Sequence, residues 1–129
     1  MTAIRVEISV GELIDKITIL EIKSQRIDDS NRRASITREL ELLRHVRDDQ
    51  IPGSPELEAL AQELKATNEM MWDIEDHVRA HERSGDFGDE FVELARSVYY
   101  TNDRRAALKR SINELTGSKL VEEKSYPRY

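Results

Sequence analysis

The sequence predicts an all-α protein in which two antiparallel helical hairpins form a bundle of four main helices. Apolar residues recur every three or four positions over most of the chain, and turn and capping residues divide this pattern into four segments. The composition agrees, because 36% charged and 38% hydrophobic residues are typical of helices with solvated faces. The 129 residues are expected to form one domain, residues 1–129, since two cores of about 65 residues each would be only marginally stable.

The N-terminus predicts a short extended segment followed by a capped helix. Residues 4–8 alternate apolar and charged side chains, which is the pattern of a half-buried strand. Ser9 and Glu12 then match a capping box, in which a hydroxyl and a carboxylate satisfy free amides at a helix start. The first helix is predicted over residues 10–27. Its apolar surface covers more than half of its circumference, so it is expected to contact two neighbours.

The second helix is predicted over residues 31–47 and completes the shorter hairpin. A short connection makes neighbouring helices antiparallel. Pairing the two helices around Asp29 places Asp15 near Arg44, and this predicts a salt bridge between them.

The second hairpin is longer. Ser54 and Pro55 supply an N-cap and a proline at the first helical position, so the third helix is predicted over residues 55–83. The fourth helix is predicted over residues 89–115, with Gly117 as its left-handed C-cap. This hairpin should project ~15 Å beyond the shorter one. The apolar stripe of this projecting part would be exposed to solvent in a monomer. We therefore predict a homodimer, and another protein partner is the alternative.

The C-terminal tail, residues 118–129, is also expected to pack on the domain. Leu120, Val121 and Tyr126 are apolar side chains in an otherwise charged segment. Such residues gain free energy only where one side of the segment is buried. We therefore predict that Leu120 or Val121 is buried, against the N-terminal segment.

Polar residues interrupt the apolar stripes of the third and fourth helices, and they are the candidate ligand-binding residues: Asn68, Glu75, Asn102, Arg105 and Lys109. If these helices pair about residues 86–87, Asn68 lies level with Arg105. Buried Arg and Lys are costly unless paired, so acids of the third helix are expected to bind them, namely Glu69, Asp73 or Glu75.

The polar stripe has three interpretations. It is a closed network that fixes the register of the helices, a polar pocket for an anionic ligand such as a nucleotide, a sugar nucleotide or a dicarboxylate, or a helix face that is simply exposed to solvent. A pocket must open to solvent through a cavity of roughly several hundred Å³, whereas a structural network is closed and dry.

Other patterns give weaker indications of chemistry. Glu90-x-x-Glu93 resembles half of the paired acidic motif with which helical nucleotide pyrophosphohydrolases bind Mg²⁺, but no Glu-x-x-Asp follows it. His77 and His81 share a helix face without the metalloprotease pattern, so a surface pair is the favoured interpretation. No metal site and no cofactor are predicted.

A further alternative is a dicarboxylate pocket. Residues 11–17, with Arg44 and Arg105, resemble the first helix and the basic pocket of chorismate mutase. That enzyme begins with its long helix, however, whereas here the long helices come last.

Charge and hydropathy exclude several classes of partner. The net charge is -6, which opposes a nucleic-acid surface. The charge is uneven, because residues 51–90 carry 11 acidic and 3 basic side chains and residues 91–129 carry 5 and 8. No run of about 18 apolar residues exists, so no membrane insertion is expected. The absence of cysteine fits a cytoplasmic location.

Three segments of the chain resemble those of a small bacterial family of uncharacterised helical proteins. They are SVGELIDKITILEIK (residues 9–23), LARSVY with TND (residues 94–99 and 101–103) and GSKLVEEKSY (residues 117–126). The resemblance covers essentially the whole chain and implies no catalytic residues. It implies an association with surface-polysaccharide and glycosyltransferase pathways, and a tail that belongs to the domain.

The sequence thus predicts a non-catalytic cytoplasmic binding or assembly module that acts as a homodimer. The alternative is a small helical enzyme or receptor that binds an anionic ligand between the third and fourth helices. Whether Arg105 and Lys109 are already paired with acids of the same chain distinguishes the two.

Overall fold

The predicted all-α fold is confirmed. The structure is a computed structural model that describes residues 2–125 and 127–129, and within these residues it contains four helices and no strand. They are α1 (Val10–Arg26), α2 (Ser30–Gln50), α3 (Pro55–Ser84) and α4 (Asp89–Thr116). Each predicted helix end lies within three residues of the observed one. No helix in the described part of the chain is long and apolar enough to cross a membrane.

Local side chains and glycines determine where the helices begin and end. Oxygens of Ser9, Asp29 and Ser54 accept hydrogen bonds from backbone amides in the first turns of α1, α2 and α3. Gly85 and Gly117 are the C-caps that follow α3 and α4, and their φ angles of 71° and 63° lie in the left-handed region. The predicted N-cap roles of Ser9 and Ser54 and the C-cap role of Gly117 are confirmed.

α1 is the central helix of the bundle. It contacts α2 on one side and α3 and α4 on the other, whereas α2 contacts no helix except α1. Two apolar clusters follow from this arrangement: Ile14 with Leu57, Leu64, Leu108 and Ile112, and Leu13, Ile17 and Leu20 with Leu40 of α2. The wide apolar surface of α1 therefore packs against three helices, one more than the two neighbours predicted.

The α3–α4 hairpin extends beyond the end of α1. Near that end, Arg26 donates a 2.6 Å hydrogen bond to Asp73 and lies over the Trp72 ring. The remaining residues, 74–98, form what we call the projecting arm, which is about 16 Å long at 1.5 Å rise per residue. Ile74 is the one buried residue of the arm, whereas Phe87 is 53% exposed.

Two predictions about the ends of the chain are wrong. Ile4 and Val6 are 88% and 73% exposed, because the described residues offer no strand with which the N-terminal segment could pair. Leu120 and Val121 are also exposed, although the tail does contact the domain as predicted. Its contacts are the ion pairs of Glu122 and Glu123 with α4 and the packing of Tyr129 against Tyr99 and Tyr100. Tyr126, which was part of the tail prediction, lies outside the described residues.

Gly11 lies where α1 approaches α4 closely. Its amide donates a 2.7 Å hydrogen bond to the Asn113 side chain. A Cβ atom at this position would lie 2.5 Å from the carbonyl oxygen of Lys109. Only glycine therefore allows α1 to lie this close to α4.

We predict that Gly11→Ala lowers the free energy of unfolding by about 1–3 kcal/mol, because the new methyl group pushes α1 away from the α4 backbone. This cost should exceed the gain of up to about 1 kcal/mol in helix propensity. Urea denaturation measures the effect. Gly53→Ala is the matched control, since a Cβ there meets nothing within 4 Å. Equal stabilities of the two variants would contradict the close approach.

Candidate functional site

The predicted polar stripe is part of a group of charged and polar side chains between α1, α3, α4 and the tail. We call this group the charge network, and its members are Glu12, Asp15, Thr18, Asn68, Arg105, Lys109 and Glu122. Three of the five predicted residues belong to it. Glu75 and Asn102 are exposed and lie outside the network.

Asp15 is the buried centre of the network, with 1% of its surface exposed. Arg105 donates to both carboxylate oxygens, from Nε to Oδ1 at 2.9 Å and from Nη2 to Oδ2 at 2.5 Å. The Asn68 amide donates to Oδ1 and to the Thr18 hydroxyl, both at 2.9 Å. The hydrogen bonds to Asp15 raise the pKa of the Arg105 guanidinium above its ordinary value, although burial opposes them. This is the bidentate geometry in which arginine and carboxylate bind most strongly.

Lys109 is held between two carboxylates. Its Nζ lies 2.7 Å from Glu12 Oε2 and 2.6 Å from Glu122 Oε2, and its side chain is 9% exposed. Burial lowers the pKa of Lys109, but the hydrogen bonds to both carboxylates outweigh it and leave the pKa above its ordinary value. The same contact with Lys109 lowers the pKa of Glu122. The tail is thus attached to α4 by a charge-assisted contact.

The acids that bind Arg105 and Lys109 are not those predicted. Acids of α3 were expected, but the observed partners come from α1 and the tail. The reason is that α1 lies over the groove between α3 and α4 and presents Glu12 and Asp15 to α4, one turn apart. The predicted position of Asn68 opposite Arg105 in the α3–α4 hairpin is consistent with the structure, because both side chains donate to the Asp15 carboxylate.

The predicted salt bridge between Asp15 and Arg44 is also wrong. Arg44 Nη2 lies 2.8 Å from Glu21 Oε2. Asp15 lies on the opposite side of α1, facing α3 and α4, so α2 cannot reach it. Asp15, Arg44 and Arg105 therefore do not converge on one pocket of the kind that suggested a dicarboxylate enzyme.

The N-terminal amides of α1, which form a common anion-binding site in proteins, are already used within the chain. Val10 donates to the Ser118 hydroxyl at 3.1 Å, Gly11 donates to Asn113, and Glu12 donates to the Ser9 hydroxyl at 3.1 Å. Each of these three groups is therefore unavailable to an external anion.

The space beside the network is small. A depression of about 150 Å³ adjoins Lys109 and is lined by Ala106, Ala107, Lys109, Arg110, Glu122 and Lys124. Ligand pockets usually have at least about 300 Å³. A wider groove of about 680 Å³ lies between Arg44, Asp48, Ile51 and Leu57, away from the network. In the described part of the chain, every buried side-chain nitrogen and oxygen has a hydrogen-bond partner.

The histidines and acids considered as metal ligands are dispersed. His77 is exposed, and His81 Nε2 lies 3.8 Å from Glu90, which is exposed at the tip of the arm. No group of three or more His, Asp or Glu residues among those the structure describes is placed to hold a metal ion.

Sequence reasoning did not assign Glu12, Asp15 and Glu122 to the network. The sequence pattern indicates Glu12 as a capping residue and Asp15 as a partner of Arg44, and it predicts a tail that packs through apolar residues. One signal pointed to Asp15: it is an acid within the apolar stripe of α1, and such an acid requires a buried cation as its partner.

Comparison with known proteins identifies the family. The chain matches the model of a family of unknown function, DUF6165, over residues 4–128. The chain belongs to this family, which confirms the predicted membership in a family of uncharacterised proteins that spans nearly the whole chain. Comparisons with curated proteins and with solved structures gave no match.

The charge network makes a direct prediction about stability. Arg105→Met should lower the free energy of unfolding by about 3 kcal/mol, because it leaves the Asp15 carboxylate buried without its cation. The double variant Asp15→Asn/Arg105→Met should cost less than the sum of the two single variants, by ~1 kcal/mol or more. Urea denaturation of the four chains measures this coupling.

Arg79→Met serves as the control, because Arg79 is an exposed arginine of the projecting arm. This variant should change stability by less than about 0.5 kcal/mol. Additive costs at Asp15 and Arg105, or a more stable Arg105→Met chain, would show that the pair does not hold α1 in place.

Proposed function

We propose that this member of the DUF6165 family is a non-catalytic binding or assembly module that acts in the cytoplasm as a homodimer. One observation carries the proposal: the two cations that would bind an anionic ligand are each paired with carboxylates of the same chain. Arg105 is bound by Asp15, and Lys109 by Glu12 and Glu122. The adjoining depression of about 150 Å³ is small for a substrate.

The orientation of the charged groups also supports a non-catalytic role. A catalytic site directs charged groups towards the place where a substrate develops charge. In the charge network, the carboxylates and the cations are directed towards one another. Their hydrogen bonds connect α1, α3, α4 and the tail, so they fix the register of the helices.

Assembly is supported by the projecting arm. Phe87 and Val92 of the arm are 53% and 49% exposed, and Phe87 packs edge-on against Phe91. A contiguous exposed apolar patch is a mark of interaction sites. The cysteine-free chain suits the reducing cytoplasm. The family resemblance connects the proposal with surface-polysaccharide and glycosyltransferase pathways, where a module of this kind would act through a partner.

The alternative is a receptor for an anionic ligand, and one observation favours it. Two cationic side chains of α4, Lys109 and Arg110, line the small depression, and they are paired with Glu122 and Glu123 of the tail. If the tail moved aside, a phosphate or carboxylate group would take the place of Glu122.

A thermal-shift screen decides between the two functions. We expect that di- and triphosphates, nucleotide sugars and dicarboxylates leave the melting temperature of the native chain unchanged, because the cations are already paired. A bound ligand at a hundredfold excess over its dissociation constant would instead stabilise the chain by about 2.7 kcal/mol. The same screen is run on Lys109→Met, because Lys109 lines the depression and would bind the ligand in place of Glu122. Stabilisation of the native chain that is lost in the variant would contradict the proposal and establish an anion site.

A further inference from the structure

The N-terminal segment, residues 4–8, has the sequence pattern of a strand but no strand partner in the described part of the chain. Three apolar residues alternate with Arg5 and Glu7, which is typical of a strand with one apolar and one charged face. The segment forms no backbone hydrogen bond with the rest of the described chain. Its apolar residues Ile4 and Val6 are 88% and 73% exposed. The segment therefore offers an open edge to which another strand can be added.

The segment is complementary to itself in one antiparallel register. When Val6 lies opposite the partner's Val6, Ile4 lies opposite the partner's Ile8, and Arg5 lies opposite the partner's Glu7. Apolar residues then meet apolar residues on one face, and each charge meets its opposite on the other face. Because the pairing is symmetric, the Arg5–Glu7 contact occurs twice. Cross-strand pairs of these kinds are what stabilises antiparallel strands.

Other registers lack this complementarity. A shift by two residues places Arg5 opposite the partner's Arg5, or Glu7 opposite the partner's Glu7, and like charges directly opposite each other are destabilising. A parallel pairing in register produces both of these like-charge contacts. A shift by one residue places apolar side chains opposite charged ones. The five residues thus select the antiparallel register that is centred on Val6.

The tail supplies apolar residues at the same end of the bundle. The Val10 amide donates a 3.1 Å hydrogen bond to the Ser118 hydroxyl, so the tail begins beside the N-terminal segment. Leu120 and Val121 follow within three residues, and they are 38% and 55% exposed. An isolated two-stranded ribbon is only marginally stable in water and needs a hydrophobic surface to pack on. Leu120 and Val121 can provide that surface for the apolar face of a ribbon.

The surroundings of Arg5 and Glu7 leave both side chains available to a second copy. Arg5 is exposed and forms no ion pair within the described part of the chain. The Glu7 side chain is 76% exposed, and its Oε1 lies 4.0 Å from Lys119 Nζ, which is too far for a hydrogen bond. A carboxylate has two acceptor oxygens, so Glu7 can bind an arginine of a second copy and remain beside Lys119.

We propose that the N-terminal segments of two copies pair as antiparallel strands about a two-fold axis that passes between their Val6 residues. The apolar face of this ribbon packs on the two tails, and the other face carries the two Arg5–Glu7 pairs. The contact is isologous, because each copy supplies the same strand to the other. It lies at the opposite end of α4 from the projecting arm, since α1 begins beside Asn113. The inference rests on the proposed homodimer and locates its interface.

The chain contains no cysteine, so disulfide cross-linking measures the register directly. In Val6→Cys the two cysteines lie opposite each other, with Cα atoms about 4.5–5.5 Å apart, which a disulfide can bridge. In Ile4→Cys they lie about 13 Å apart along the ribbon, which is too far. Under mild oxidation of the full chain, Val6→Cys should form a covalent dimer about tenfold faster than Ile4→Cys, or more. Collisions alone would favour Ile4→Cys, because Ile4 is the more exposed residue.

Charge reversal tests the same pairing without cysteine. Sedimentation at micromolar concentration should give about twice 15.0 kDa for the native chain. Arg5→Glu places a carboxylate opposite Glu7 at both symmetry-related contacts and should weaken association about tenfold or more. Arg5→Glu/Glu7→Arg exchanges the charges, recreates both pairs and should recover the dimer. Arg33→Glu, the same change of charge at an exposed residue of α2, should remain dimeric. All these positions are exposed, so the helix content by circular dichroism should be unchanged.

The outcomes separate this inference from the proposed homodimer. A native dimer that persists in Arg5→Glu, or that cross-links equally in Val6→Cys and Ile4→Cys, would overturn the interface and leave the homodimer in place. Dissociation of Arg5→Glu without recovery in Arg5→Glu/Glu7→Arg would overturn the pairing of Arg5 with Glu7. A native chain that is monomeric and does not cross-link in Val6→Cys would overturn both proposals.

Discussion

The ion pair between Asp15 and Arg105 is the interaction on which the position of α1 depends. The Asp15 carboxylate is almost fully buried, and an uncompensated carboxylate in that position would cost several kcal/mol. It is satisfied only where Arg105 of α4 and Asn68 of α3 both reach it. A shift of α1 by one turn, about 5.4 Å, would break these contacts at once. The pair therefore specifies one register among the several that the apolar stripes would tolerate.

The other elements depend on α1 in turn. α2 contacts no other helix, so its position follows entirely from that of α1. The tail is connected to the same region, because Ser118 accepts a hydrogen bond from Val10 and Glu122 shares Lys109 with Glu12. The projecting arm, by contrast, lies beyond the end of α1. The position of α1 thus closes the charge network towards the C-terminal end of α4 and leaves the N-terminal part of α4, in the arm, without a contact to α1.

The helices were predictable from the sequence, because their ends are determined locally. Ser9, Ser54 and Gly117 act on backbone groups within four residues of their own positions, so their roles follow from neighbouring residues. The partners of Arg105 and Lys109 were not predictable in this way. They depend on which helix covers the groove between α3 and α4, and on the path that the chain takes after Gly117. Ile4 and Val121 are exposed for the same reason: apolar residues within one segment do not show whether another part of the chain packs against that segment.

The exchange of the Arg105 Nε proton with water, measured by NMR at neutral pH, tests the closed network around Asp15 most directly. A hydrogen bond to a buried carboxylate protects this proton, so slow exchange is expected for Arg105 and fast exchange for the exposed Arg79. Protection should disappear in Asp15→Asn and remain unchanged when inorganic phosphate is added to the native chain. Exchange of Arg105 as fast as that of Arg79, or a signal that shifts on addition of phosphate, would contradict a closed network around Asp15.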